Sequence, residues 1–280
     1  MIRTTGPHVK QSFLTRILLV ILLLAPAGAF PAENGDVTFS GEISNGARRL
    51  GDEAVDLVAT PFQIENGNIL VTLGVAGAVG LTYAFDTQIR DKLSARTNRS
   101  QNDAADAGSL VGNPLVHLGL AALTYGGAIL VDSPEWKETG EKMGEAVILA
   151  AAASVIIKGA TGRGRPDTTR SKGDFKPFGL KQDYDSFPSM HTSSSFALAS
   201  VLAATTESLV MKTTYYAAAI FVGYSRMYEN KHWASDVVLG AALGELCGRV
   251  VTSYHDSKNR VALAPRMYES GAGLALVGTW

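Results

Sequence analysis

Six stretches without Asp, Glu, Lys or Arg, separated by polar joints, constrain this 280-residue chain more than any other feature. Most are rich in Ala, Leu, Val and Gly and show no sustained apolar–polar alternation, which favours helices over strands. We therefore predict an all-α fold, a helical bundle with about six core helices. The uncharged stretches are residues 66–85, 107–131, 146–157, 186–206, 213–225 and 237–244.

The length of these stretches leaves two environments open. Two or three are long enough to cross a bilayer, which takes about 20 apolar residues, but the later ones are short. The last helix contains Glu245 and Arg249, whose i, i+4 spacing suits a water-facing or interfacial stripe. A membrane-embedded bundle and a soluble periplasmic bundle both fit, and we favour the membrane-embedded one. The polar joint at residues 91–106 is predicted to be a solvated loop.

The N-terminus has the pattern of an export signal. Lys10 and Arg16 precede the apolar run Ile17–Ala25, and small residues ending in Ala29 follow. This pattern predicts a signal peptide over residues 1–29, cut after Ala29. The apolar run is short for a membrane span, so cleavage is favoured over an uncleaved anchor. The mature chain is then expected to work outside the cytoplasm, at the external face of a membrane or in a periplasm.

The segments at either end of the bundle are less distinctive. Residues 30–65 form an N-terminal segment whose stretch DEAVDLVATPF is amphipathic and can lie on the bundle or on a membrane surface. Residues 256–280 form a C-terminal extension, in which we predict the segment after Arg260 to be a hairpin, two extended pieces around a Gly-containing turn. The single cysteine, Cys247, excludes an intrachain disulfide and is most simply a core residue. A net charge of −1 gives no electrostatic argument for a nucleic-acid partner.

The first of three polar places is KGATGRGRP, from Lys158 to Pro166. Lys158 ends an apolar helix, and the glycines that follow let the backbone approach a ligand closely. It is not a P-loop, because in that motif the lysine follows the glycines. A solvated basic loop is the plainer interpretation, since residues 163–181 hold six Lys or Arg against two Asp.

The second place is FPSMHTSSSF, in which Ser189 begins a helix and His191 falls in its first turn. Free backbone N–H groups at a helix start favour an anion, although the stretch taken alone favours a capped helix with an incidental histidine. The third place is SRMYENKHWASD, in which His232 and Asp236 are four residues apart. A carboxylate at that spacing can hold an imidazole nitrogen, but such a pair alone is usually structural or half of a metal site. Zinc would need a third ligand such as His191, and the nearby Lys and Arg side chains would repel the cation.

Together the three places read K-x6-R-P, P-S-M-H and S-R-x5-H-x3-D. This order and spacing resemble the type 2 phosphatidic acid phosphatase and vanadium haloperoxidase superfamily, whose pattern is K-x6-R-P, P-S-G-H and S-R-x5-H-x3-D. The resemblance covers roughly residues 66–252, so we delimit a catalytic domain at residues 66–255. One position departs from the pattern: Met190 stands where the family has glycine, which retains the backbone N–H but fills space beside the ligand.

The resemblance implies a phosphate-binding site of charged side chains and helix-start donors. Lys158, Arg165 and Arg226 would bind phosphoryl oxygens, and Ser189 and the amide of Met190 would add donors. Three cations suit a phosphate dianion and the additional charge of its transition state.

It also implies a catalytic group of two histidines and one aspartate. His232 would attack phosphorus to form a phosphohistidine, and Asp236 would orient it. His191 would protonate the leaving group and then help to activate water. The route implies no metal and no cofactor, and it makes vanadate an expected inhibitor.

Four functions are compatible with these residues. The leading one is hydrolysis of a phosphomonoester or pyrophosphate on a membrane lipid. The alternatives are a soluble periplasmic non-specific acid phosphatase, a vanadate haloperoxidase, and a non-catalytic phospholipid-binding protein. Among the remaining aromatic and histidine side chains, we predict His117, Tyr215, Tyr216 and Trp233 to be packing residues and His255 to lie at the surface.

Overall fold

The computed structural model describes residues 39–64, 67–95, 99–179, 183–259, 261–268 and 271–278. The predicted signal peptide, residues 1–29, lies outside the described residues. The described residues from position 43 onward belong to one compact unit, which contains every side chain predicted to form the site.

Eight α-helices account for most of the described residues, and the all-α prediction is confirmed. The six uncharged stretches correspond to α2 and α4–α8, with the 107–131 stretch beginning in α3. The helices are α1 Phe39–Ala59, α2 Asn68–Ser94, α3 Arg99–Val111, α4 Pro114–Leu130, α5 Pro134–Thr161, α6 Met190–Ala204, α7 Leu209–Tyr228 and α8 Ala234–Asn259, with a short 3-10 turn, Thr60–Phe62, after α1.

The prediction of a solvated loop at residues 91–106 is wrong. Residues 91–94 complete α2, and residues 99–106 form the first two turns of α3. A narrow face of small residues explains the helix: Ala105 and Gly108 are buried, and a Cβ added to Gly108 would lie 2.8 Å from the side chain of Ser225 on α7. The polar side chains that suggested a loop lie mainly on the other faces of α3.

The amphipathic stretch predicted within residues 30–65 is the second half of α1. Its apolar side chains Leu50, Ala54 and Leu57 pack against the core of the bundle. Val55 and Val58 lie on its outer face and are each 68% exposed. The helix therefore covers the bundle with one face and presents a second apolar face outward.

Helix α6 is the central element and packs against α5, α7 and α8. Glycines at four-residue spacing on α8 permit this closeness: a Cβ at Gly240 would lie 2.7 Å from the Ser189 carbonyl oxygen, and one at Gly244 would clash with the Ser193 carbonyl oxygen. The buried core around this contact is built mainly from small side chains. It consists of Ala121, Met143, Ala146, Leu149, Ala150, Ala197, Leu198, Val201, Cys247 and Val251.

Within the described part of the chain, two helices, α2 and α5, are long and apolar enough to cross a membrane. Helices α3 and α4, which meet at a bend of 53°, would together make a third span. None of the apolar window of α2 is buried. Leu70 and Leu73 on α2 and Leu123 and Leu130 on α4 are each more than 60% exposed. Apolar surface of this extent is typical of a membrane protein.

The C-terminal extension contains the predicted hairpin. Strands β1, Val261–Tyr268, and β2, Gly271–Gly278, pair antiparallel with Val261 opposite Gly278.

We predict that Gly244→Ala destabilises the protein, on the order of 1–3 kcal/mol, because a methyl group must force α6 and α8 apart. Thermal unfolding of the detergent-solubilised protein measures this effect. Gly119→Ala on α4 is the matched control, since a Cβ there meets no atom within 4 Å. This control should be neutral or slightly stabilising because alanine is the better helix former. Equal melting temperatures for the two variants would contradict the close α6–α8 contact.

Candidate active site

The three motifs meet at one end of the bundle, where α5 and α7 end and α6 and α8 begin. Lys158 is in the last turn of α5, and Arg226 is in the last turn of α7. His232 lies in the joint before α8, and Asp236 lies in the first turn of that helix. The structure thus assembles residues that are up to 78 positions apart in sequence, Lys158 to Asp236.

His232 is buried and fixed through one ring nitrogen. Its Nδ1 lies 2.7 Å from the carbonyl oxygen of Ser186 and 3.6 Å from Oδ2 of Asp236. A carbonyl only accepts, so Nδ1 carries the hydrogen and Nε2 keeps its lone pair. Burial, together with the positive charges of Lys158, Arg165 and Arg226, holds the pKa of His232 well below its ordinary value. The imidazole is therefore neutral at pH 7, the form a nucleophile requires.

The orienting role predicted for Asp236 is divided between two groups. The nearest acceptor to His232 is the Ser186 carbonyl, while the Asp236 carboxylate accepts from the Ser186 hydroxyl at 2.5 Å and from the Trp233 amide at 2.8 Å. Asp236 thus fixes the residues on both sides of the imidazole as well as facing the ring itself.

Arg163, a residue that the motif analysis does not assign, lies beneath this group and is fully buried. Its guanidinium donates to Asp236 at 2.5 Å and to Asp86 of α2 at 2.7 Å. It also donates to the Ser235 hydroxyl at 2.8 Å and the Lys172 carbonyl at 3.0 Å. Four aromatic rings have centroids 5.0–5.9 Å from its guanidinium carbon: Tyr83, Phe175, Phe187 and Trp233.

A sequence signal for this ion network does exist. Asp86 is the first charge after the uncharged stretch 66–85, and Arg163 lies between Lys158 and Arg165 in the first motif. A carboxylate at the end of an apolar helix needs a partner if it is buried. The sequence does not indicate which of the many basic residues is that partner.

Asp185 brings the two basic residues of the first motif together. Its carboxylate accepts two hydrogen bonds from Arg165, at 2.7 and 2.8 Å, and its carbonyl accepts one from Nζ of the buried Lys158. Burial alone would raise the pKa of Asp185, but the Arg165 hydrogen bonds and the Lys158 charge hold that pKa below its ordinary value. Asp185 is therefore ionised and holds Arg165 in place.

Arg226 is held on one side by two residues that sequence reasoning missed. Its Nη1 donates to Glu229 at 2.8 Å and to the hydroxyl of Ser109 on α3, and that hydroxyl in turn donates to Glu229. Its Nε is buried and has no hydrogen-bond partner among the described residues. A buried N–H without a partner is costly, so this edge of Arg226 is suited to receiving an oxyanion.

The start of α6 supplies the neutral part of the site. Ser189 caps the helix: its hydroxyl oxygen accepts from the Thr192 hydroxyl at 2.9 Å and, more weakly, from the Thr192 amide at 3.5 Å. Met190 is the first helical residue and is half-buried. The half-buried His191 makes no side-chain hydrogen bond to a described residue. Burial and the charges of Arg226 and the other nearby groups lower the pKa of His191.

Two other described histidines, His117 and His255, belong to none of the three motifs. His117 is buried and its Nδ1 lies 3.1 Å from the Ser194 hydroxyl, as expected of a packing residue. The surface position predicted for His255 is wrong: it is buried, and its Nε2 lies 2.6 Å from Glu145. Glu53, Glu145 and His255 offer ligand atoms within 4.8 Å of one another, the one group among the described residues that could hold a metal ion. The Arg49 guanidinium also donates to Glu145 at 2.8 Å, so this acidic group already has a positively charged partner.

Comparisons with known proteins place the same residues in a family context. Residues 142–260 match the model of the PAP2 superfamily. The chain is 32% identical over 117 residues to a lipid A 1-phosphatase of Porphyromonas gingivalis, a match covering 41% of this chain and 25% of the relative. It is 31% identical over 100 residues to a lipid A 1-phosphatase of Rhizobium johnstonii, covering 35% and 40%. The aligned parts therefore span less than half of these relatives.

One solved structure shares the fold. A transmembrane PAP2-type phosphatidylglycerolphosphate phosphatase of Bacillus subtilis superposes with a TM-score of 0.51 at 19% identity, covering 71% of this chain and 97% of the other.

We predict that Arg163→Met lowers the free energy of unfolding by about 3–5 kcal/mol, because two buried carboxylates lose their shared cation. Arg165→Met is the matched control: its ion pair with Asp185 is partly exposed and should contribute about 1 kcal/mol or less. Thermal unfolding of both variants in detergent provides the comparison. If Arg163→Met melts within a degree or two of Arg165→Met, the buried network does not stabilise the fold.

Proposed function

We propose that the chain is a member of the PAP2 superfamily, whose model residues 142–260 match, and that it hydrolyses a phosphomonoester or pyrophosphate of a membrane lipid through a phosphohistidine. The family match confirms the resemblance that the three motifs carry. The observation that supports the chemistry most directly is His232, a buried neutral imidazole with a fixed tautomer among three cations.

In the first step, Nε2 of His232 attacks phosphorus and the bond to the leaving oxygen breaks. Lys158, Arg165 and Arg226 offset the charge of the five-coordinate transition state, which has more negative charge than the substrate on its equatorial oxygens. The hydroxyl of Ser189 and the first amides of α6 add donors at the positive end of the helix. The product of this step is a phosphohistidine and an alcohol or phosphate leaving group.

His191 supplies and recovers the proton. In the site without substrate, burial and the neighbouring cations lower its pKa, so the ring is neutral. A bound phosphate dianion offsets those cations and raises the pKa, so substrate and proton bind together. His191 then protonates the leaving oxygen, and the neutral ring takes a proton from the water that attacks the phosphohistidine. Hydrolysis releases orthophosphate and restores His232.

A lipid substrate is supported by the exposed apolar faces of α2 and α4, which suit a membrane-embedded bundle. The two curated relatives named above are lipid A 1-phosphatases, so lipid A is the first substrate to test. Phosphatidic acid, phosphatidylglycerol phosphate, a polyprenyl pyrophosphate and a small soluble phosphoester complete the panel. With the predicted export signal, we propose that the site faces the periplasm or the cell exterior. Phosphate release from this panel in detergent tests the function, and no release from any lipid would overturn it.

We predict that His232→Ala abolishes turnover and leaves the fold largely intact, because it removes a nucleophile without breaking the Arg163 network. Phosphate release and acid-labile labelling from a radiolabelled substrate are the measurements. The label should appear in the parent and be absent from the variant. His117→Ala removes a buried histidine that belongs to none of the three motifs, and this control should still be labelled. Activity in His232→Ala above a few per cent of the parent would exclude the phosphohistidine route.

We predict that vanadate inhibits competitively and that EDTA leaves turnover unchanged. Five-coordinate vanadate resembles the transition state that Lys158, Arg165 and Arg226 would bind. Steady-state kinetics with each reagent provide the check. Loss of activity in EDTA that zinc or magnesium restores would show that a metal takes part in turnover.

We predict that Met190→Gly keeps the core chemistry and broadens substrate acceptance. The backbone N–H is retained, and removing the half-buried side chain opens space beside the phosphate. Because the position is helical, the change should cost on the order of 1 kcal/mol of stability. The ratio of activities on bulky lipid and small soluble phosphates, parent against variant, is the measurement. A folded variant that is inactive on every substrate would show that methionine has a role the family comparison does not supply.

A further inference from the structure

Two of the three cations predicted to hold the phosphate are already paired with carboxylates of this chain. Arg165 is bound by Asp185 through two hydrogen bonds, and Arg226 is bound by Glu229 at 2.8 Å. Lys158 donates only to a carbonyl oxygen among the described residues. The formal charge of this set of five side chains is therefore +1, from three cations and two carboxylates.

The pairing of Arg226 divides its guanidinium into two edges. Nη1 is used by Glu229 and Ser109, whereas Nε is buried and has no hydrogen-bond partner among the described residues. A phosphate oxygen bound at Nε would then lie one guanidinium width from the Glu229 carboxylate, roughly 6 Å away by the lengths of the bonds involved. At this separation a carboxylate and a phosphate dianion repel each other appreciably in a partly buried site.

We propose that Glu229, fixed by Ser109, is a positioning residue that turns the Nε edge of Arg226 toward the phosphate. Its negative charge also weakens the binding of the orthophosphate product. This inference rests on the proposed function and concerns the same site. Three cations without carboxylate partners would bind the transition state, but they would also retain the released phosphate dianion. The repulsion acts on substrate and product alike, so its benefit is greatest where product release limits turnover.

Ser109 fixes the ion pair of Arg226 and Glu229 in place. It accepts from Arg226 and donates to Glu229, so both members of the ion pair are tied to α3. Glu229 is itself half-buried, which limits screening by water. The polar helix α3 thus contributes Ser109, which fixes the ion pair at the end of α7.

The test is product inhibition by inorganic phosphate, measured on the detergent-solubilised full chain. Glu229→Gln keeps the shape and a hydrogen-bonding oxygen but removes the charge. We expect the inhibition constant for orthophosphate to fall about tenfold, with a parallel fall in KM. Ser109→Ala keeps the charge and loosens Arg226, so it should raise KM and should not tighten phosphate binding. Glu207→Gln makes the same charge change on an exposed side chain before α7 and should leave both constants unchanged.

The opposite directions of the two site variants separate this role from a merely structural one. Glu229→Gln with an inhibition constant within twofold of the parent, or a higher one, would overturn the inference while leaving the phosphatase assignment in place. If the parent releases phosphate from no substrate and binds no orthophosphate, the proposed function fails and this inference fails with it. Should Glu229→Gln not fold, Ser109→Ala decides: tighter phosphate binding in that variant would overturn the positioning role.

Discussion

The buried guanidinium of Arg163 is the interaction on which the rest of the site depends. It joins Asp86 on α2 to Asp236 on α8, and Asp236 in turn orders Ser186 and faces His232. The three charged groups are almost completely removed from water, so each depends on the others to offset its desolvation. His232, the residue that we propose as the nucleophile, is therefore positioned by a buried ion network.

The order of elements around the site explains why charge can accumulate there. Two helices end and two begin at this face, so backbone carbonyls, backbone amides and side-chain charges converge within one region. Carbonyls of Ser186 and Asp185 orient His232 and Lys158, respectively. The first turn of α6 contributes amides and no acidic side chain. The proposed anion binding and the fixed tautomer of His232 thus both depend on where the helices begin and end.

How much of the fold and of the site can be predicted from the sequence depends on how far apart in the sequence the interacting residues are. Uncharged stretches predict the principal helices, and the three motifs name Lys158, Arg226, His232 and Asp236, because spacing within a helix or turn is local. Helix α3 could not be predicted from its polar composition, since its stability comes from a small-residue face packed on α7. Ser109, Glu229 and Asp86 were missed for the same reason, since each has a partner far away in the sequence: Ser109 and Glu229 are 120 positions apart, and Asp86 and Arg163 are 77 positions apart.

The glycine contact between α6 and α8 has a mechanical consequence. The backbones of α6 and α8 approach closely at Gly240 and Gly244, and the Ser189 amide donates to the Asp236 carbonyl at 3.0 Å. We therefore expect these two helices to move as one rigid unit. Helix α4 is not part of this contact, and Leu123 and Leu130 on its outer face are exposed. If the bundle lies in a bilayer, as we propose, changes in bilayer thickness or lateral pressure should be absorbed by tilting of outer helices such as α4. The spacing of the groups that we propose as reactive should then stay constant while the lipid surroundings vary.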